Sequence, residues 1–263
     1  DYRDVPVRWL GQDLIASAEA MKQADEKMYR WVWLGEAVGV DELIYYMFGD
    51  RHRQKPDSDR RYDRIYIGGD YGQQNATTFQ AFGLDSYRKK FPGLDEYYHS
   101  GRETGKQKSP SEYAKDLVEF MDNLHELYEN RVFYIFLDPS AKGLAEEVRR
   151  ATRTGLDYQV ILRDAENDVA LGISRVQKAL CFDIMSVSPK QENAIREFGI
   201  YEYDKKSIEK GKEVPVKESD HCMDAIRYAV MGAWKRLKHW LPKEVQDDKA
   251  DILTKEVGDD EYL

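Results

Sequence analysis

The chain has 263 residues, 41% of them hydrophobic and 34% charged, enough for one large domain or a medium domain with appendages. Its net charge of −9 excludes a passive nucleic-acid coat, which would be basic, and no apolar run is long enough for a membrane helix. Two cysteines, Cys181 and Cys222, supply neither a disulfide framework nor a zinc-ligand spacing, which fits a reducing compartment.

The chain opens without a methionine or a signal-peptide pattern and reads as a piece of a longer protein. Leu10 to about Tyr29 has helical periodicity, and the aromatic stretch Tyr29–Gly39 follows. Gly49–Arg64 is charged, aperiodic and holds a proline. It is predicted to be an exposed loop or linker, so that residues 1–60 precede the core at 61–240.

Arg64–Gly72 and Thr77–Asp85 read as strands of an antiparallel hairpin, and Glu96–Ser100 as a third strand. Ser109 is predicted to cap a helix to Asn130, with Pro110 in its first position and Glu112 closing a capping box. Arg131–Asp138 is a nearly continuous apolar run, as in a central strand buried on both faces. Helices at Ser140–Thr152 and Glu166–Leu180 alternate with strands at Asp157–Arg163 and Cys181–Ser186. A helix opens in the Ser-Pro-x-Gln stretch that starts at Ser188. Tyr201–Lys217 reads as two extended arms around a Glu-Lys-Gly-Lys turn. The order predicts an α/β fold, a mixed sheet with helices on its faces. Residues 241–263 read as a flexible tail, since Lys243–Leu263 holds eight acids against three lysines, a net −5.

Asp70 closes the first strand after Gly68-Gly69, and Asp138 closes the central strand before Pro139. Ligands collect at such strand ends, yet each aspartate taken singly is also good turn chemistry. The stretch "SDHCMDAIRYAV" (Ser219–Val230) then opens a helix with Asp220, His221 and Asp224 on one side of its first turn. Asp220 or Ser219 satisfies the cap, which leaves Asp224 in need of a positive neighbour: Arg227, a lysine, or a divalent cation. Three carboxylates from two strand ends and one helix suit two hard cations that hydrolyse a phosphodiester, Mg²⁺ or Mn²⁺, with His221 beside them tilting the choice to Mn²⁺.

The stretches "YIGGDYG…NATTF", "YIFLDPSAKGL" and "SDHCMDAIRYAV", in that order, resemble the nuclease domain of tailed-phage terminase large subunits, closest to the headful-packaging subgroup with His-x-x-Asp in the last motif. The resemblance implies a ribonuclease-H-like fold and a metal-dependent endonuclease acting on double-stranded DNA. It carries Asp70, Asp138 and Asp224 over as metal-binding carboxylates, with His221 beside them. It implies an ATPase domain, a terminase small subunit and a portal as partners, and the cytoplasm of an infected bacterium, transiently at the procapsid, as the place of action. The early segment resembles the end of the motor ATPase, but no Gly-x-x-x-x-Gly-Lys-Ser/Thr loop occurs, so ATP hydrolysis by this chain is not expected. Lys205, Lys206, Lys210 and Lys212 are candidate phosphate contacts, although Glu202, Asp204, Glu209 and Glu213 nearly cancel their charge. Two other readings stand beside this one: a non-catalytic docking domain for portal or DNA, and a phosphotransferase of the actin and sugar-kinase type, whose phosphate loop "GGDYGQQNATT" mimics.

Overall fold

The structure, a computed structural model, describes residues 12–24, 29, 33–34, 43–57, 61–72, 76–210, 212–218 and 220–246. Most of the aromatic stretch 29–39, the turn 73–75, Ser219 and the tail from 247 onward lie outside the described residues. The chain divides into two compact units, Leu43–Trp234 and a second made of Asp1–Glu42 with Lys235–Leu263. In the latter, helix α1 spans Gln12–Ala24, within the predicted 10–29, and the Ser17 hydroxyl donates to the Glu244 carbonyl.

The larger unit is built on a six-stranded mixed sheet. Its strands are β1 (Arg64–Asp70), β2 (Ala76–Leu84), β3 (Phe91–Ser100), β4 (Val132–Leu137), β5 (Gln159–Asp164) and the two-residue β6 (Met185–Ser186), in the order β5-β4-β1-β2-β3-β6. β1, β2 and β3 form an antiparallel meander, and β4 and β5 add to β1 in parallel. Helices α2 (Gly101–Thr104), α3 (Pro110–Tyr128), α4 (Lys142–Ala151), α5 (Val169–Cys181), α6 (Glu192–Phe198), α7 (Lys205–Ile208) and α8 (His221–Leu237) follow in the connections.

Alternation along the strands separates two faces. Ile65 and Ile67 of β1, with Phe133 and Ile135 of β4, join Leu117, Met121, Leu124, Leu144 and Val148 of α3 and α4 in one core. Tyr66, Gly68 and Asp70, with Tyr134, Phe136 and Asp138, point to the other face, where α8 packs. The predicted cap of α3 is present: the Ser109 hydroxyl accepts from the Glu112 amide, and the Glu112 carboxylate accepts from the Ser109 amide.

Four expectations change. The third strand starts at Phe91, because Lys89 in the left-handed region (φ 56°) turns the chain back directly after β2. The strand predicted at Cys181–Ser186 shrinks to two residues. Helix α5 runs on through Cys181, and Asp183 (φ 51°) ends it with the Ile184 amide donating to the Ala179 carbonyl. Gly49–Arg64 is not uniformly exposed. Residues Asp50–His52 form a 3-10 turn, His52 is buried, and the Gln54 amide donates to Val187 beside β6. Tyr201–Lys217 keeps its extended arms, with Asp204 and Val214 hydrogen-bonded across them, but its tip contains α7, capped by Asp204.

Candidate metal centre

Register places the first two acids side by side. Tyr66 pairs with Tyr134, Gly68 with Phe136 and Gly69 with Leu137 in the parallel β1–β4 ladder, so Asp70 and Asp138 continue it as neighbours on the α8 face. Adjacent strands lie about 4.8 Å apart. α8 crosses β1 at Gly68: a Cβ there would fall 1.8 Å from the Ala225 carbonyl oxygen and 2.8 Å from the Ala229 amide. One helical turn before Ala225 is His221, which therefore reaches Asp70. Its Nδ1 lies 2.7 Å from Asp70 Oδ2.

Each predicted site residue is held by a specific partner. Asp138 accepts from the Ser140 amide at 2.7 Å, the Tyr228 hydroxyl at 2.8 Å and the Asn167 side-chain amide at 3.1 Å. Asp224 Oδ1 accepts from Arg227 Nη2 at 2.7 Å, and Lys217 Nζ lies 3.9 Å from Oδ2. Of the positive neighbours the sequence allowed for Asp224, the protein thus supplies both an arginine and a lysine. Lys217 also lies 3.7 Å from Asp220.

The electrostatics differ between the acids. Burial holds the Asp70 carboxyl above its ordinary range, and the charges of Asp224 and Asp220 add to this against the His221 hydrogen bond. Burial pushes Asp138 up as well, but the Ser140 and Tyr228 hydrogen bonds outweigh it, so Asp138 ionises more readily than usual. His221 is shifted up by its bond to Asp70, against its own burial.

Asp220 immediately precedes α8, but the carboxylate that meets the free amides of its first turn comes from Glu197. The amides of Cys222 and Met223 donate to the Glu197 carboxylate of α6 at 2.7 and 3.3 Å, while Asp220 offers its backbone carbonyl to the Asp224 amide. Glu197, 1% exposed, reaches these amides from another helix, so nothing in the sequence around His221 announces it. Burial pushes its carboxyl up to about 7 from 4.5, against those hydrogen bonds. A raised acid favours the folded state while protonated. The contribution is therefore full below pH 4.5 and is lost as pH rises toward 7. Urea denaturation at pH 5 and pH 7.5 is expected to show a loss for the wild type that Glu197→Gln largely abolishes. A shift of this size corresponds to on the order of 3 kcal/mol. Equal pH profiles for the two proteins would refute this role.

A family profile described as the terminase RNase H-like domain matches residues 70–231, more than half of the chain and a span that encloses all three acids. The chain belongs to this family. No curated protein matches this terminase domain. Among solved structures it resembles the large terminase of a thermophilic bacteriophage. In one crystal form of that protein the two share 34% identity over 72% of this chain and 43% of the other, with a TM-score of 0.61. In the ADP complex of the same large terminase the values are 31%, 85% and 52%, with a TM-score of 0.67. The chain thus spans about half or less of that relative's length. The P22 large terminase nuclease domain, 16% identical over 72% of this chain and 91% of that one with a TM-score of 0.55, shares the fold.

Among the described residues no three His, Cys, Asp or Glu side chains are already gathered tightly enough to hold a metal ion. The donor set nevertheless fits hard divalent cations. Asp70, Asp138 and Asp224 offer carboxylate oxygens, His221 offers one imidazole, and the mutual repulsion felt at Asp70 is what a cation relieves. The four lysines Lys205, Lys206, Lys210 and Lys212 are exposed, on and after α7. Sequence reasoning passes over Asn167 and Glu197. Tyr228, noticed only as part of a motif, is the hydroxyl that fixes Asp138.

Proposed function

We propose that this domain is the nuclease of a phage DNA-packaging motor, a metal-dependent endonuclease that cuts double-stranded DNA. The observation that supports it best is the convergence of Asp70 and Asp138 at adjacent strand ends with the first turn of α8, which carries His221 and Asp224. Two divalent cations, Mn²⁺ or Mg²⁺, would supply activation of water and stabilisation of the leaving oxygen in an in-line attack. Asp70, Asp138 and Asp224 would hold them, with His221 as the nitrogen donor at the rim. Tyr228 and Asn167 orient Asp138, and His221 restrains Asp70. The family assignment sets the phosphotransferase reading aside.

In the whole protein, an ATPase domain, a small subunit and a portal would be the partners, in the cytoplasm of the infected host at the procapsid. Among the described residues no helix is long and apolar enough to cross a membrane. Supercoiled plasmid incubated with the protein and Mn²⁺ or Mg²⁺ is expected to be nicked and linearised, and a chelator to stop it. Cutting that persists in chelator would contradict the proposal.

The exposed lysines of the 201–217 hairpin would meet phosphates. Removing Lys206, Lys210 or Lys212 is then expected to lower the slope of log affinity against log salt by about 1 per lysine, nearly independently of DNA sequence. An unchanged slope would remove the hairpin from the DNA interface.

A further inference from the structure

Arg227 is the largest fully buried side chain of the described residues, and it lies directly behind Asp224. Its Nη2 donates to Asp224 Oδ1 at 2.7 Å, whereas its Nε and Nη1 have no hydrogen-bond partner among the described residues. The stem is seated against Gly172 of α5, where a Cβ would fall 2.4 Å from Arg227 Cγ and 2.6 Å from Cδ. The guanidinium carbon lies 5.1 Å from the ring centre of Tyr228, whose hydroxyl holds Asp138. The Tyr45 and Tyr201 rings stack at 5.8 Å, within electrostatic reach of Arg227 and Asp224.

Burying an arginine with one hydrogen-bonded anion is costly, and the exposed Lys217, 3.9 Å from Asp224 Oδ2, already supplies a cheaper neutralising charge. What burial adds is a fixed fork. We propose that Arg227 is the positioning residue of Asp224, locking one carboxylate oxygen from inside the core so that the other is presented to a divalent cation. This rests on the metal-site reading above.

Positioning and simple neutralisation have opposite signs. If Arg227 only neutralised Asp224, it would compete with the cation, and removing it would tighten metal binding. If it positions Asp224, its loss weakens binding despite the added negative charge. Lysine keeps the charge but lacks the planar fork, so it should not rescue. Gly172→Ala keeps every charge, favours the helical conformation of α5, and displaces the Arg227 stem.

The test is Mn²⁺ titrated into the chain, free Mn²⁺ being followed by electron paramagnetic resonance, with circular dichroism confirming the fold. Wild type is expected to bind. Arg227→Lys, Arg227→Gln and Gly172→Ala are each expected to bind about 10- to 100-fold more weakly, the cost typical of losing a partner that orients a ligand. Unchanged or tighter binding by Arg227→Lys and Gly172→Ala would overturn the inference while leaving the metal site standing. No binding by wild type would overturn the metal-site reading and this inference with it.

Discussion

Asp70→Asn and Asp138→Ala are each expected to lose more than about 100-fold of metal-dependent DNA cutting. Loss of a group that only orients a metal ligand costs about 10- to 100-fold, so loss of a ligand itself should exceed that. The fold should survive. Asp70 is a buried carboxyl already pushed toward its protonated form by burial and by Asp224 and Asp220, so an uncharged isostere relieves strain rather than creating it. The asparagine amide can still meet His221. Thermal denaturation and DNA affinity of Asp70→Asn should therefore stay close to wild type while cleavage disappears. Cleavage within tenfold of wild type in either variant would remove these residues from the chemistry.

Gly68→Ala is expected to be the most damaging single methyl in the domain. The atoms in its way are main-chain atoms of α8, the Ala225 carbonyl at 1.8 Å and the Ala229 amide at 2.8 Å, and neither can rotate aside. α8 must lift from β1. The lift costs core packing, about 3 kcal/mol, which for a domain of this size is a fall of roughly 10 °C in Tm. It also moves His221 and Asp224 away from Asp70, so cutting should fall even at temperatures where the variant is folded. Gly143→Ala is the control. Its Cβ would meet only Pro110 Cγ at 3.9 Å, so the α4 position should accept alanine with unchanged or improved stability. Equal Tm values for the two variants would contradict the close crossing of α8 over β1.

The same crossing shows where sequence reasoning reaches and where it stops. Local grammar is readable: the Ser109–Glu112 box, the apolar run of β4, and two aspartates at strand ends all follow from short-range patterns. Gly68-Gly69 can be read as permitting a close approach, but not as an approach by Ala225, more than 150 positions away. The contribution of Glu197 to the start of α8 is out of reach for the same reason. Its carboxylate reaches the first-turn amides from α6, and only the packing of the two helices reveals it. Arg227 is visible as a partner for Asp224 at helical spacing, but its burial depends on the missing side chain at Gly172. The strand before Ser188 is drawn too long because Cys181, apolar enough for either pattern, extends α5, and the chain then leaves the helix through Asp183 in the left-handed region.

β1, β4 and the first turn of α8 are proposed to form a divalent-metal centre together. Anomalous scattering from crystals soaked in Mn²⁺ tests it most directly. The expected result is two peaks among Asp70, Asp138 and Asp224, with His221 alongside, and neither peak in crystals of Asp70→Asn with Asp224→Asn. Mn²⁺ bound elsewhere on the domain, with no ion at these three carboxylates, would contradict it.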